Sequence, residues 1–106
     1  MLQPADSNVV SLLKQRIQII TPVTRMIVFG SRARTDAVKE SDLDVFIELP
    51  ELSSSLQHKI LEIAWEIGFD HDIVISVFLT ATSLLVNGPL AGNPVLRTIQ
   101  TEGMPV

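Results

Sequence analysis

Residues 26–47 read MIVFGSRARTDAVKESDLDVFI, and this stretch decides the fold. It contains the apolar run Met26–Phe29 and most of a second, largely apolar segment, Leu43–Leu49, and both segments are typical of strands. Gly30 ends the first run, and the polar segment 31–37 that follows it predicts a short helix. The stretch therefore predicts a strand, a short helix and a second strand in close succession.

The flanking sequence supplies helices and one more strand. Apolar residues recur at helical spacing over 8–20, and Ser7 or Asp6 is expected to cap that helix. A second helix is expected from Ser53 to Gly68, a third strand over 72–79 and a last short helix over 94–100. This order predicts an α/β (α+β) fold, a small mixed sheet with helices packed on one side. We expect one domain over residues 1–106.

Composition excludes several kinds of site. The chain has 106 residues and a net charge of −4, so bulk attraction to nucleic acid or to an anionic membrane is not expected. It has no cysteine, which excludes disulfides, zinc–thiolate sites and thiol nucleophiles. The N-terminus lacks the features of a signal peptide, and the longest apolar run, 73–79, is too short to span a bilayer. A cytoplasmic location is expected.

Two carboxylates stand at the start of the second predicted strand. Side chains alternate along a strand, so Asp42 and Asp44 point to the same face, about 6.5 Å apart along the chain. Two carboxylates held side by side repel each other unless a cation lies between them. Hard oxygen ligands suit Mg²⁺, whose coordination is completed by waters and substrate phosphates. Two such ions would stabilise the attacking and leaving oxygens of a displacement at phosphorus.

Gly30 and Ser31 suit the binding of a phosphate. A glycine after a strand lets the backbone approach an anion closely, and the N–H groups of the next turn point at it. The Ser31 hydroxyl adds a donor, and Arg32 or Arg34 can neutralise triphosphate charge with a planar guanidinium.

A third carboxylate would engage the attacking group and share a metal. Asp70 and Asp72 are the candidates, and Asp72 is favoured because it opens the predicted third strand, which would lie beside the second. Each feature also has a purely structural explanation: Gly-Ser after a strand is common, and a single Asp often only caps a turn. Glu48 is interpreted as a solvated surface residue, and the spacing of Trp65 suggests packing.

The ordered combination resembles a known signature. Residues 29–34, Phe-Gly-Ser-Arg-Ala-Arg, and 41–47, Ser-Asp-Leu-Asp-Val-Phe-Ile, resemble the polymerase β-like nucleotidyltransferases, and most of all their minimal (MNT) members. The resemblance is specific over about 26–48. It implies that Gly30 and Ser31 grip the triphosphate of ATP or another NTP. It also implies that Asp42 and Asp44, with Asp72 as the third acid, hold two Mg²⁺ ions.

The resemblance also implies a reaction and a partner. Chains of this size lack the helical domain that holds a small-molecule acceptor, so the acceptor is expected to be a protein. In this group the frequent partner is a HEPN RNase toxin, which the MNT protein neutralises by adding AMP. The alternative is a binding module that neutralises its partner by contact alone. Thr35-Asp36 departs from the family motif, which often has Gly there. Association of the chain with a second copy of itself, as a homo-oligomer, is a further expectation left open by the sequence.

Overall fold

The computed structural model describes residues 2–34, 42–86 and 92–106, and for Arg34 the backbone only. The helices are α1 (Pro4–Ile20), α2 (Ser31–Arg34), α3 (Ser54–Asp70), α4 (Thr82–Val86) and α5 (Pro94–Glu102). The strands are β1 (Arg25–Phe29), β2 (Leu43–Leu49), β3 (Ile75–Ala81) and β4 (Met104–Pro105). The predicted turn at 87–89 lies outside the described residues.

The strands form one mixed sheet in the order β3-β2-β1-β4. β1 pairs with β2 and with β4 in antiparallel fashion, whereas β2 and β3 are parallel. α3 makes the crossover that a parallel pair requires. The sheet therefore places the C-terminal end of β1 beside the N-terminal end of β2, where both halves of the sequence motif lie.

The two faces of the sheet are covered differently. Odd-numbered residues of β2 pack with α1 and α3 in the main core, which includes Leu13, Ile17 and Val45. The opposite face carries a smaller cluster, Ile27 and Phe46 beneath Ile99 of α5. The predicted mixed sheet with helices is confirmed. The two long helices share one side, and the short α5 lies against the other.

Several predicted boundaries shift. β3 begins at Ile75 rather than at Asp72, because the chain first makes a turn in which Asp72 has a φ of 56°. α3 runs to Asp70, two residues beyond the predicted end. The cap predicted for α1 was wrong: the N-cap is Gln3, without a side-chain cap, and Pro4 begins the helix. The cap predicted for α3 is confirmed, since Ser53 Oγ accepts a hydrogen bond from Leu56 N at 3.1 Å.

Candidate functional site

Gly30 and Asp44 meet because β1 and β2 are antiparallel neighbours. Phe29, the last residue of β1, is the register partner of Asp44. Gly30 follows with a φ of +75°, a conformation that favours glycine. A Cβ built on Gly30 would collide with Asp44 Oδ2. The glycine is thus required twice, by its backbone conformation and by the carboxylate packed against its Cα.

Asp42 and Asp44 provide the carboxylates of this site. Asp44 is half-buried within β2, and Asp42 is exposed immediately before the strand. Alternation along β2 directs Asp44 to the face that also carries Phe46, away from α1 and α3. Carboxylate oxygens are hard ligands, and one or two of them with substrate phosphates suffice for Mg²⁺. These residues therefore fit a magnesium ion.

Asp72 does not occupy the β3 position that pairs with Asp44. It lies in the exposed turn before β3, and the β3 residue in register with Asp44 is Ser76. Strand pairing between β2 and β3 begins where Leu43 N donates to Val74 O at 2.9 Å. Within the described parts of the chain, no group of three or more acidic or histidine side chains could hold a metal. Asp42 thus directly precedes β2 and Asp44 lies within it, whereas Asp72 lies in the turn before β3.

Arg32 is held by α1. Its guanidinium donates to Asp6 Oδ1 at 2.7 Å, and both side chains are largely buried, 14% and 6% exposed. This contact links α2, which follows Gly30 directly, to the first turn of α1. Ser31 is half-buried at the start of α2. The side chain of Arg34 lies outside the described part of the structure.

Glu48 occupies the same face of β2 as Asp44. The interpretation of Glu48 as a solvated residue was wrong, because it is only 4% exposed. One carboxylate oxygen accepts from Arg25 Nε at 2.7 Å and the other from Thr82 Oγ1 at 2.6 Å. Its position four residues from Asp44 on one strand was a readable signal for a shared face.

Exposed apolar side chains form a separate surface on α3 and at the entry to β3. We call Leu61, Trp65, Phe69 and Val74 the aromatic patch; their exposed fractions are 43%, 68%, 75% and 63%. The rings of Trp65 and Phe69 stack with centroids 5.5 Å apart. The prediction that Trp65 packs into the core is therefore wrong, since its side chain is mostly exposed. The groove beneath this patch is also lined by Arg32 and Asp72.

None of the described helices has the length and apolar character needed to cross a membrane.

Comparisons with known proteins agree with this architecture. The model of the nucleotidyltransferase domain family matches residues 8–81. Among solved structures, the chain is similar to a mutant of the toxin–antitoxin MntA-HpeT at 17% identity and a TM-score of 0.59. That similarity covers 94% of this chain and 70% of the other, and at such identity it shows the fold alone. A comparison with curated proteins found no significant match. Since the family model spans most of the sheet together with Gly30, Asp42 and Asp44, the chain belongs to the nucleotidyltransferase domain family.

Proposed function

We propose that the chain transfers AMP from ATP, with Mg²⁺, onto a partner protein of the HEPN toxin type and thereby acts as its antitoxin. The observation that carries this proposal is the contact between Gly30 and Asp44. A left-handed glycine is packed against a half-buried carboxylate, and Asp42 lies two residues before that carboxylate in the chain. Family membership gives the class of reaction, and this geometry supports its use here.

The reaction consists of one displacement at phosphorus. A hydroxyl oxygen of the acceptor bonds to the α-phosphorus of ATP and its proton is released to solvent, the bond from that phosphorus to the bridging oxygen breaks, and pyrophosphate leaves. Asp42 and Asp44 would hold Mg²⁺, which supplies charge stabilisation for the attacking and leaving oxygens. Gly30 lets the backbone approach the triphosphate, and Ser31 adds a hydroxyl donor. We expect catalysis to rest on position and charge, since the protein need form no covalent bond.

The role of Asp72 and Arg32 in this scheme is narrower. Both line the groove under the aromatic patch, where an acceptor protein bound to that patch would contact them. We propose that Asp72 meets the acceptor there as the third acid. Arg32, paired with Asp6, would hold the start of α2 in place beside the phosphates.

The aromatic patch supports a protein as the acceptor. Large exposed apolar side chains, with aromatic residues prominent, are typical of protein interfaces. The solved relative is itself a toxin–antitoxin pair, which motivates the choice of a toxin as the partner. The net charge of −4 makes a nucleic-acid acceptor a poor alternative.

The test is a transfer assay. The purified chain is incubated with ATP labelled on the α-phosphate, Mg²⁺ and the candidate toxin, and the products are analysed by mass spectrometry. We expect the toxin to gain one or more AMP units, and we expect no gain with Asp42→Ala. An unmodified toxin in the presence of folded chain, with no binding of MgATP, would refute the transferase proposal.

The second candidate is neutralisation by contact alone. Two observations favour it: the exposed aromatic patch, and the absence of a third carboxylate beside Asp44 among the described residues. The double variant Asp42→Ala/Asp44→Ala separates the two candidates. If it still protects cells from the toxin, contact suffices; if protection is lost while the complex still forms, chemistry is required.

A further inference from the structure

A cavity of about 240 Å³ lies between the sheet and α5, on the face that carries Asp44. Its floor is apolar and consists of Phe46, Leu96 and Ile99, and its rim is polar, with Asn93, Arg97 and Gln100. A pocket with an apolar floor and a few convergent polar groups is the usual form of a small-molecule site. Its volume is below the usual range of about 300–1,000 Å³ for whole ligands, so it suits part of a larger ligand.

The cavity lies close to the carboxylate of Asp44 along β2. Phe46 lies two residues beyond Asp44 on the same face of β2, which corresponds to about 7 Å along the strand. A ribose spans a comparable gap between the α-phosphate of a nucleotide and its base. A nucleotide with its phosphates at Gly30 and Asp44 can therefore reach the cavity with its base.

The ion pair beside the cavity disfavours an anion buried next to Glu48 and provides a flat wall for a planar group. Arg25, which forms one wall, is already paired with Glu48 at 2.7 Å and lies over the ring of Phe46 at 5.8 Å. Its positive charge is compensated within the protein, so it serves chiefly as a flat wall. Burying a further anion beside this ion pair would place it near Glu48.

The rim nevertheless offers hydrogen-bonding groups. Asn93 Oδ1 accepts from Val95 N at 2.9 Å, which leaves its amide nitrogen as a donor. Arg97 is exposed, and its guanidinium forms no ion pair with any described residue. Gln100 is exposed and carries both a donor and an acceptor. An apolar floor beneath such a rim matches a nucleobase, which has flat apolar faces and a polar edge.

We infer that this cavity holds the base of the nucleoside triphosphate, with Arg97 and Gln100 at its polar edge. The inference rests on the proposed function, because it presupposes that a nucleotide binds at Gly30 and Asp44. It adds a base subsite formed by α5, which lies outside residues 8–81 that the family model covers.

The test compares a ligand with a base and a ligand without one. Binding of MgATP and of magnesium tripolyphosphate is measured by calorimetry for the wild type, Leu96→Trp and the matched control Val95→Trp. Leu96 lines the cavity, whereas Val95 is its 46% exposed neighbour and does not. We expect Leu96→Trp to weaken MgATP about tenfold, consistent with the loss of base contacts. Tripolyphosphate affinity should be unchanged in all three proteins, and Val95→Trp should match the wild type.

The exposed rim provides a second variant that does not depend on the packing of a large side chain. Arg97→Ala/Gln100→Ala should also lower MgATP affinity while leaving tripolyphosphate affinity unchanged. The inference is overturned if the wild type binds both ligands equally well, or if the rim variant binds MgATP as the wild type does. Failure of the proposed function looks different, because the wild type would then bind neither ligand.

Discussion

The carboxylate edge (Gly30, Asp42 and Asp44) and the aromatic patch differ in how they depend on the rest of the chain. The carboxylate edge is formed by two adjacent antiparallel strands, and its central contact joins Gly30 to Asp44. The patch combines about two turns of α3 with the entry to β3 and is exposed throughout. In the first region, the choice of residue is limited by the positive φ of Gly30 and by the contact between Gly30 and Asp44. In the second, the side chains are exposed, so packing within the chain limits the choice of residue little.

This difference indicates separate roles. Substitutions at the carboxylate edge should affect chemistry or folding even in the isolated chain, because Gly30 and Asp44 are packed against each other. Substitutions in the patch should be nearly silent until a partner is present, since the side chains removed are mostly in solvent. The following predictions test this separation, beginning with the largest effect.

Asp44→Asn should reduce nucleotidyl transfer by a factor of about a thousand or more, because it removes the charge that would hold Mg²⁺ beside the triphosphate. The measurement is initial transfer rate at saturating ATP. Glu51→Gln, which removes an exposed carboxylate beyond the end of β2, is the control and should retain full rate. Equal rates for the two variants would contradict the assignment of the carboxylate edge as the reacting site.

Asp6→Ala should lower the free energy of unfolding by about 3 kcal/mol, since it removes one partner of a largely buried ion pair with Arg32. Urea unfolding monitored by circular dichroism measures this. Glu66→Ala is the matched control, because its 2.8 Å ion pair with Arg16 also joins α1 to another element but is 37% and 45% exposed. We expect it to cost under about 1 kcal/mol. Similar losses of unfolding free energy for both variants would show that burial does not make the Asp6–Arg32 ion pair more stabilising than the Glu66–Arg16 pair.

Gly30→Ala should destabilise the fold by about 1–2 kcal/mol, because alanine is strained at a φ of +75°. Its Cβ would also displace the Asp44 carboxylate. We therefore expect the transfer rate to fall further than the loss of stability alone would explain. Gly92→Ala is the control: it has a φ of +79° but nothing near its Cβ. Unfolding curves and transfer rates should therefore separate the two variants. Equal losses of stability in both would imply that backbone strain, and not the Asp44 contact, determines the cost.

Trp65→Ser/Phe69→Ser should change the stability of the isolated chain least, by about 0.5 kcal/mol per site or less, because both rings are mostly in solvent. Affinity for MgATP should stay at the wild-type value. Affinity for the toxin partner, measured by calorimetry or light scattering, should fall sharply because aromatic residues dominate interface energetics. His58→Ser, exposed on the same helix, serves as the control. An undiminished complex would exclude the aromatic patch as the interface.

Much of the carboxylate edge was predictable from sequence because its signals are local. Apolar runs gave β1 and β2 within a residue, and the Gly30 and Asp44 motif gave the family, which the family match confirms. Ser53 predicted the start of α3 correctly. In each case the deciding interaction lies within a few residues or within one strand.

The remaining features depend on distant packing. Ser76 faces Asp44 because of the β2–β3 register, which follows from where α3 ends and how the turn at Asp72 is made. The Arg32 ion pair joins residues 26 positions apart and requires α1 to cross the sheet. The exposure of Trp65 could not be read from its spacing, because a helical stripe does not say how wide a face its neighbours cover.

The attachment of α5 has a consequence for motion. The helix has one buried residue, Ile99, whereas α1 has five. Local opening free energy scales with such burial, so α5 should detach in excursions that leave β1 and β2 intact. The wall of the proposed base cavity is then more easily displaced than α1, while the carboxylates remain fixed. Nucleotide entry and product release would be governed by the opening rate of one short helix rather than by the sheet that carries the chemistry.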